Sequence, residues 1–188
     1  MKIVAKFILS NILGWKIIGD FPNITKSVLI FAPHTSYYDG LFGKLYMMSL
    51  GIQYKFLSKK EYFKFPLKYF FKVYGSIPVD KNSKYINQIV ELFHDNDELH
   101  IVISPEGQLA KTDHWKKGFY YMASNAKVPI VIGYLDYQKK EIGIKGVIED
   151  TANFKETIFR VNQYYEGVMA KYPDLFSLDR RFPTNTTI

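Results

Sequence analysis

Short apolar runs with strand character alternate with helical patterns along most of the chain, and that alternation narrows the fold more than any other feature. Strands are expected at Ser27–Ala32, Tyr54–Ser58, Ser76–Asp80, Leu99–Ser104, Val128–Leu135 and Glu141–Ile148. Helices are expected from Asp39 to Leu50, ended by Gly51, and over Lys59–Val73, where Pro66 interrupts. Further helices are expected from a cap at Asn82 or Ser83 to about His94, over Trp115–Ala126 and over Asn153–Lys171, with an irregular tail after Pro173. Nearly continuous apolar strands between helices predict an α/β fold: a mixed, mostly parallel sheet covered by helices on both faces. The 188 residues and 47% hydrophobic content suit one sizeable core.

In such sheets, ligand groups gather where strands end at their carboxyl side, so the residues after each strand hold the first clues to chemistry. After SVLIFA come His34 and Asp39, in PHTSYYDG. Pro33 biases Ala32 to extended backbone and so fixes where the strand stops. A carboxylate on one imidazole nitrogen fixes the tautomer and stabilises the cation formed when the other nitrogen takes a proton. No G-x-S-x-G elbow surrounds Ser36, so the pair suits direct activation of a substrate hydroxyl rather than a serine nucleophile. Taken alone, the pair is weak evidence, because a capped turn uses the same letters.

After SIPVD come Asp80 and Lys81, and after LHIVIS come Pro105, Glu106 and Gly107. Glu106 there either binds a substrate hydroxyl, holds a basic residue, or faces solvent from a type II turn. Cysteine is absent, which excludes disulfides, Cys-ligated metals and a thiol nucleophile and fits a reducing compartment. His94, His100 and His114 have no metal-ligand spacing, so no metal site is expected. The Tyr164–Tyr165 pair reads as helix packing, and Lys116-Lys117-Gly118 as a solvated helix start that could attract phosphate.

Taken together, HTSYYDG, GSIPVDK, ISPEGQ and KVPIVIGYL resemble, in order, the four blocks of the lysophospholipid acyltransferase family, which includes the 1-acyl-sn-glycerol-3-phosphate acyltransferases. The resemblance runs from about Ser27 to Asp136. It implies a glycerol-phosphate acyltransferase-like fold with His34 as general base and Asp39 orienting it. The acceptor hydroxyl would attack an acyl-CoA or acyl-carrier-protein thioester directly, with no other cofactor. It implies acceptor binding by Asp80, Lys81, Glu106 and Gly107, and support of the site by Pro129 to Gly133. The sequence departs from the family in several places. Pro33 stands where the first block usually has Asn, and the fourth block lacks a second proline. Lys81 replaces an arginine, so a point charge replaces a bidentate fork. Gln108 and Leu109 replace Thr and Arg, which removes an expected headgroup contact; Lys111, two positions on, would be its substitute. The reaction class is untouched by these changes; an acceptor other than the phosphatidic type, or a catalytically silent membrane-binding homologue, would accommodate them.

The net charge of +7 points to an anionic partner. Residues 1–22 are expected to form an interfacial amphipathic helix, with Lys2, Lys6 and Ser10 spaced by four and Trp15 at the boundary, ahead of an acyltransferase domain over 23–188. The apolar stretch from Ile3 to Ile18 would span roughly 24 Å as a helix, short of the roughly 30 Å hydrocarbon core. It also lacks the features of a cleaved signal peptide. Lys60, Lys64, Lys68 and Lys72 recur every four residues among Tyr62, Phe63, Phe65, Phe70 and Phe71. That segment suits an anionic bilayer surface, and the lipid chemistry of the blocks favours this over nucleic acid. The expectation is a peripheral protein on the cytoplasmic side of the cell membrane.

Overall fold

The computed structural model describes residues 1–60, 75–79 and 84–183. Seven strands form one sheet: β1 (Lys16–Ile18), β2 (Lys26–Ala32), β3 (Tyr54–Lys59), β4 (Ser76–Val79), β5 (Leu99–Ile103), β6 (Ile130–Asp136) and β7 (Glu141–Ile148), in the order β1-β7-β6-β2-β5-β3-β4. Strands β6, β2, β5, β3 and β4 run parallel, whereas β7 returns antiparallel to β6 and β1 lies parallel to β7. The sheet is therefore mixed and mostly parallel, as expected. Helices α1 (Lys2–Phe7, continued as a π-helical turn over Ile8–Ile12), α2 (Tyr37–Leu50), α3 (Lys84–Asp95), α4 (Gly118–Ala126) and α5 (Phe154–Tyr165) flank it.

Strand β2 shows why both faces are covered. Its side chains alternate across the sheet, and both sets are buried. Val28, Ile30 and Ala32 join Ile89 and Phe93 of α3, Phe119 and Met122 of α4, and Ile158, Val161 and Tyr165 of α5 in one core. Leu29 and Phe31 join Leu9, Trp15, Tyr46 and Met47 in a second core on the opposite face. Each such aliphatic or aromatic side chain contributes about 1.5–3 kcal/mol on burial. Gly133 of β6 fits this packing, because a Cβ there would lie 2.7 Å from the Phe31 ring.

Several boundaries differ from those expected. The N-terminal helix ends at Ile12, and Lys16–Ile18 pair with the edge of β7 instead of continuing it. Trp15 is buried against Phe42 and Tyr137, so it serves the core and not a lipid boundary. Helix α4 begins at Gly118, not Trp115, because the Trp115 N–H is taken by Asp179. Helix α5 stops at Tyr165; Gly167, at φ +70°, turns the chain out of the helix six residues before Lys171 was expected to end it. The lysine-rich segment past Lys60 and the expected cap at Asn82 or Ser83 lie outside the described residues.

Candidate active site

The carboxyl ends of β6, β2 and β5 are neighbours in the sheet, and each delivers one polar group to the same place. His34 follows β2, Glu106 follows β5 and Tyr137 follows β6. Ser36 caps α2: its Oγ accepts the Tyr38 N–H at 3.2 Å. Asp39 closes the capping box by accepting the Ser36 N–H at 2.8 Å, and it also accepts the Thr35 N–H at 2.7 Å. The same Asp39 Oδ2 lies 3.6 Å from Nδ1 of His34. The turn and the candidate catalytic pair are thus one object: the carboxylate that caps the helix also faces the imidazole.

Asp39 is only 4% exposed, and a buried carboxylate needs donors. Two backbone N–H groups hold Oδ2, and the Tyr137 hydroxyl donates to Oδ1. Burial, followed by this hydrogen bond and the carboxylate's charge, raises the Tyr137 pKa far above the usual tyrosine range, so the phenol stays a donor. The His34 side chain, in contrast, is 29% exposed and open to a substrate.

Glu106 is buried, also at 4% exposure, and does not face solvent from a turn. Its Oε1 accepts the His34 N–H at 2.8 Å and its Oε2 accepts the Ser104 hydroxyl at 2.7 Å. Burial raises its pKa, against the opposing pull of these two hydrogen bonds and of His34. Glu106 therefore ties the end of β5 to the backbone of His34. Gly107 has φ +68°, and a Cβ there would come within 2.8 Å of Lys116 Cγ, so the loop after Glu106 closes tightly on its own returning limb. That limb is pinned from the C-terminal segment. Buried Asp179 accepts the Trp115 N–H at 2.9 Å and pairs with Arg181, whose Nη2 donates to the Trp115 carbonyl at 2.7 Å.

Of the residues singled out from sequence, His34, Asp39, Glu106 and Gly107 meet at this end of the sheet. Lys111 is exposed on the loop beyond Gly107, and no described contact joins it to His34. Asp80 and Lys81 follow β4, the edge strand, and lie outside the described residues. Among the described residues no cluster of His, Asp and Glu could hold a metal. Tyr137 and Ser104 were missed, although Tyr137 stands directly after β6, where the strand-end rule points.

A histidine and a buried carboxylate thus meet at the carboxyl end of the central strand of a mixed α/β sheet. Residues 18–132 match the family model described as Acyltransferase, and the chain belongs to that family. Among solved structures it is similar to the crystal structure of the 1-acyl-sn-glycerophosphate (LPA) acyltransferase PlsC from Thermotoga maritima. The TM-score is 0.59 at 13% identity, with 89% of this chain and 74% of that chain covered, so the two share a fold. No curated protein matches the sequence.

Proposed function

We propose that this acyltransferase moves a fatty acyl group from acyl-CoA or acyl-carrier protein to the hydroxyl of a lysophospholipid, with 1-acyl-glycerol-3-phosphate as the first candidate. The observation that carries the proposal is the placement of His34 Nδ1 against the buried, donor-saturated Asp39. With Nδ1 turned to the carboxylate, Nε2 is the nitrogen left for the acceptor. Nε2 takes the hydroxyl proton as the oxygen bonds to the thioester carbonyl carbon, and Asp39 stabilises the imidazolium. The tetrahedral intermediate then expels the thiolate, which takes the proton back from His34, giving ester and thiol with no acyl-enzyme. Glu106 holds the His34 backbone during these steps.

The acceptor class draws support from the resemblance of the blocks and from the fold shared with PlsC, a 1-acyl-sn-glycerophosphate acyltransferase. A different lyso-lipid headgroup is the second reading, favoured by Gln108 and Leu109 where the family carries Thr and Arg. Membrane attachment draws support from exposed side chains. Ile3, Val4, Phe7 and Ile12 stand out from the N-terminal helical segment, which packs antiparallel on α2 with Lys2 beside Gly51 and Trp15 on Phe42. Tyr37, 83% exposed, Tyr38 and Leu41 add exposed apolar side chains at the start of α2, close in sequence to His34. Among the described residues no helix is long and apolar enough to cross a membrane. In this reading the exposed side chains dock peripherally, on the cytoplasmic face.

Assaying the purified protein with acyl-CoA against a panel of lyso-lipids tests the reading. Ester formation with a phosphatidic-type acceptor supports it, and transfer only to another headgroup selects the second reading. Thiol release without any acceptor would make the protein a hydrolase, and no release at all a silent homologue.

A further inference from the structure

Beyond α5 the chain does not wander off. Residues 166–172 run back to the His34 end of the sheet and are fastened there twice. The Tyr137 N–H donates to the Met169 carbonyl at 2.9 Å, and the Tyr172 N–H donates to Thr35 Oγ1 at 3.3 Å. Lys171 lies between these two anchors. Its ammonium sits 3.7 Å above the Tyr38 ring, 5.8 Å from the Tyr172 ring and 5.9 Å from the Tyr137 ring. Tyr137 in turn holds Asp39, and Asp39 faces His34. A cation is thus built into the wall that reaches His34 through Tyr137 and Asp39. Among the described residues Lys171 pairs with no carboxylate, so its charge is not neutralised by a neighbour.

The substrates of the proposed reaction carry phosphate on both sides: the headgroup of a lyso-lipid acceptor, and the phosphates of an acyl-CoA or carrier-protein donor. In a glycerol phosphate acceptor the carbon bearing the reacting hydroxyl adjoins the carbon bearing phosphate, so a phosphate-holding cation must stand beside the base. The family's arginine for such work is Leu109 here, and Lys111 is exposed away from any described contact with His34. We infer that Lys171, held on the rings of Tyr38, Tyr137 and Tyr172, is the residue that grips a substrate phosphate beside His34. The role rests on the acyl-transfer reading. It has a consequence for headgroup choice: the aromatic face that would attract a quaternary ammonium is already occupied by a cation, so choline headgroups are disfavoured.

The test uses the full chain, with Lys171→Met and Lys171→Arg. Acceptors are a short-chain monoacylglycerol phosphate, below its micelle concentration, and the matching glycerophosphocholine, each with acyl-CoA as donor. Lys171→Met should raise KM for the phosphate acceptor about tenfold or more while kcat stays within about twofold, and Lys171→Arg should restore most of it. A rise confined to KM for acyl-CoA would place the gripped phosphate on the donor; unchanged KM for both substrates overturns the inference while leaving acyl transfer standing. Equilibrium binding of the same phosphate acceptor to His34→Ala, with and without Lys171→Met, gives an answer independent of turnover. Equal affinity there, and in the same measurement made with acyl-CoA, overturns the role of Lys171, whereas a tenfold loss for either ligand upholds it even if no acceptor is acylated.

Discussion

The hydroxyl of Tyr137, at the end of β6, donates to Oδ1 of Asp39, in the first turn of α2. This contact ties the strand on one side of β2 to the carboxylate that faces His34, much as Glu106 ties the strand on the other side to the His34 backbone. In the proposed mechanism Tyr137 acts through Asp39, as a positioning residue. Tyr137→Phe removes one of the donors to a buried carboxylate while two backbone N–H groups remain. The expected cost is about 1 kcal/mol of stability and about tenfold in kcat, with KM for acceptor unchanged. Steady-state kinetics beside a urea melt check both; an unaltered kcat would remove Tyr137 from the account.

Burial holds the Glu106 pKa above its ordinary 4.5. In the window from pH 4.5 up to the raised value, the folded protein keeps a proton that the unfolded chain has lost, so stability falls as pH rises through it. Glu106→Gln can keep both partners, since the Ser104 hydroxyl is able to accept from the amide. Urea midpoints of the wild type should therefore fall relative to those of the variant between pH 4.5 and 7. A constant difference across that range would show that the carboxyl is not perturbed.

At the opposite end of the sheet, Ser27 Oγ and His100 Nδ1 form a buried hydrogen bond of 2.8 Å, with the imidazole and the Phe21 ring in a T-shaped contact. Burial lowers the His100 pKa from 6.5, against a smaller opposing pull from Glu98. Below pH 6.5 the unfolded chain takes up a proton that the folded protein refuses, so stability falls as pH drops. Replacing both partners, Ser27→Ala with His100→Leu, should remove this part of the acid sensitivity, because no buried polar group is left unpaired. Comparing melting at pH 7 and 5.5 in both proteins decides it; an identical loss in the double variant would contradict the assignment.

Ile3 and Phe7 are exposed, so Ile3→Glu with Phe7→Glu should leave the fold within about 0.5 kcal/mol. If this face docks on lipid, sedimentation with anionic vesicles should weaken about tenfold or more, and excess oligonucleotide should not displace the wild type. Unchanged sedimentation of the variant would move the membrane contact elsewhere.

The alternation of apolar runs and helical stretches was enough to read the sheet, since β2, β5 and β6 are buried on both faces and their runs are nearly continuous. The approach of Asp39 to His34 was legible because one short capping turn places both residues. Strand β1 was not, because three residues after an apolar helix carry no period of their own; pairing with the edge of β7 decides their state. The burial of Glu106 was equally hidden, since a Pro-Glu-Gly turn has the same letters whether its carboxylate points outward or inward to the His34 N–H. Lys171 was lost inside an expected helix, which Gly167 ends early.

The central claim is that His34, facing Asp39, activates the acceptor hydroxyl. The most direct measurement is thiol release and ester formation by purified His34→Ala, with acyl-CoA and 1-acyl-glycerol-3-phosphate, beside its circular dichroism and urea melt. A fold that melts like the wild type, with turnover reduced about a hundredfold or more, is the predicted result; turnover near the wild-type rate in a folded variant would contradict it.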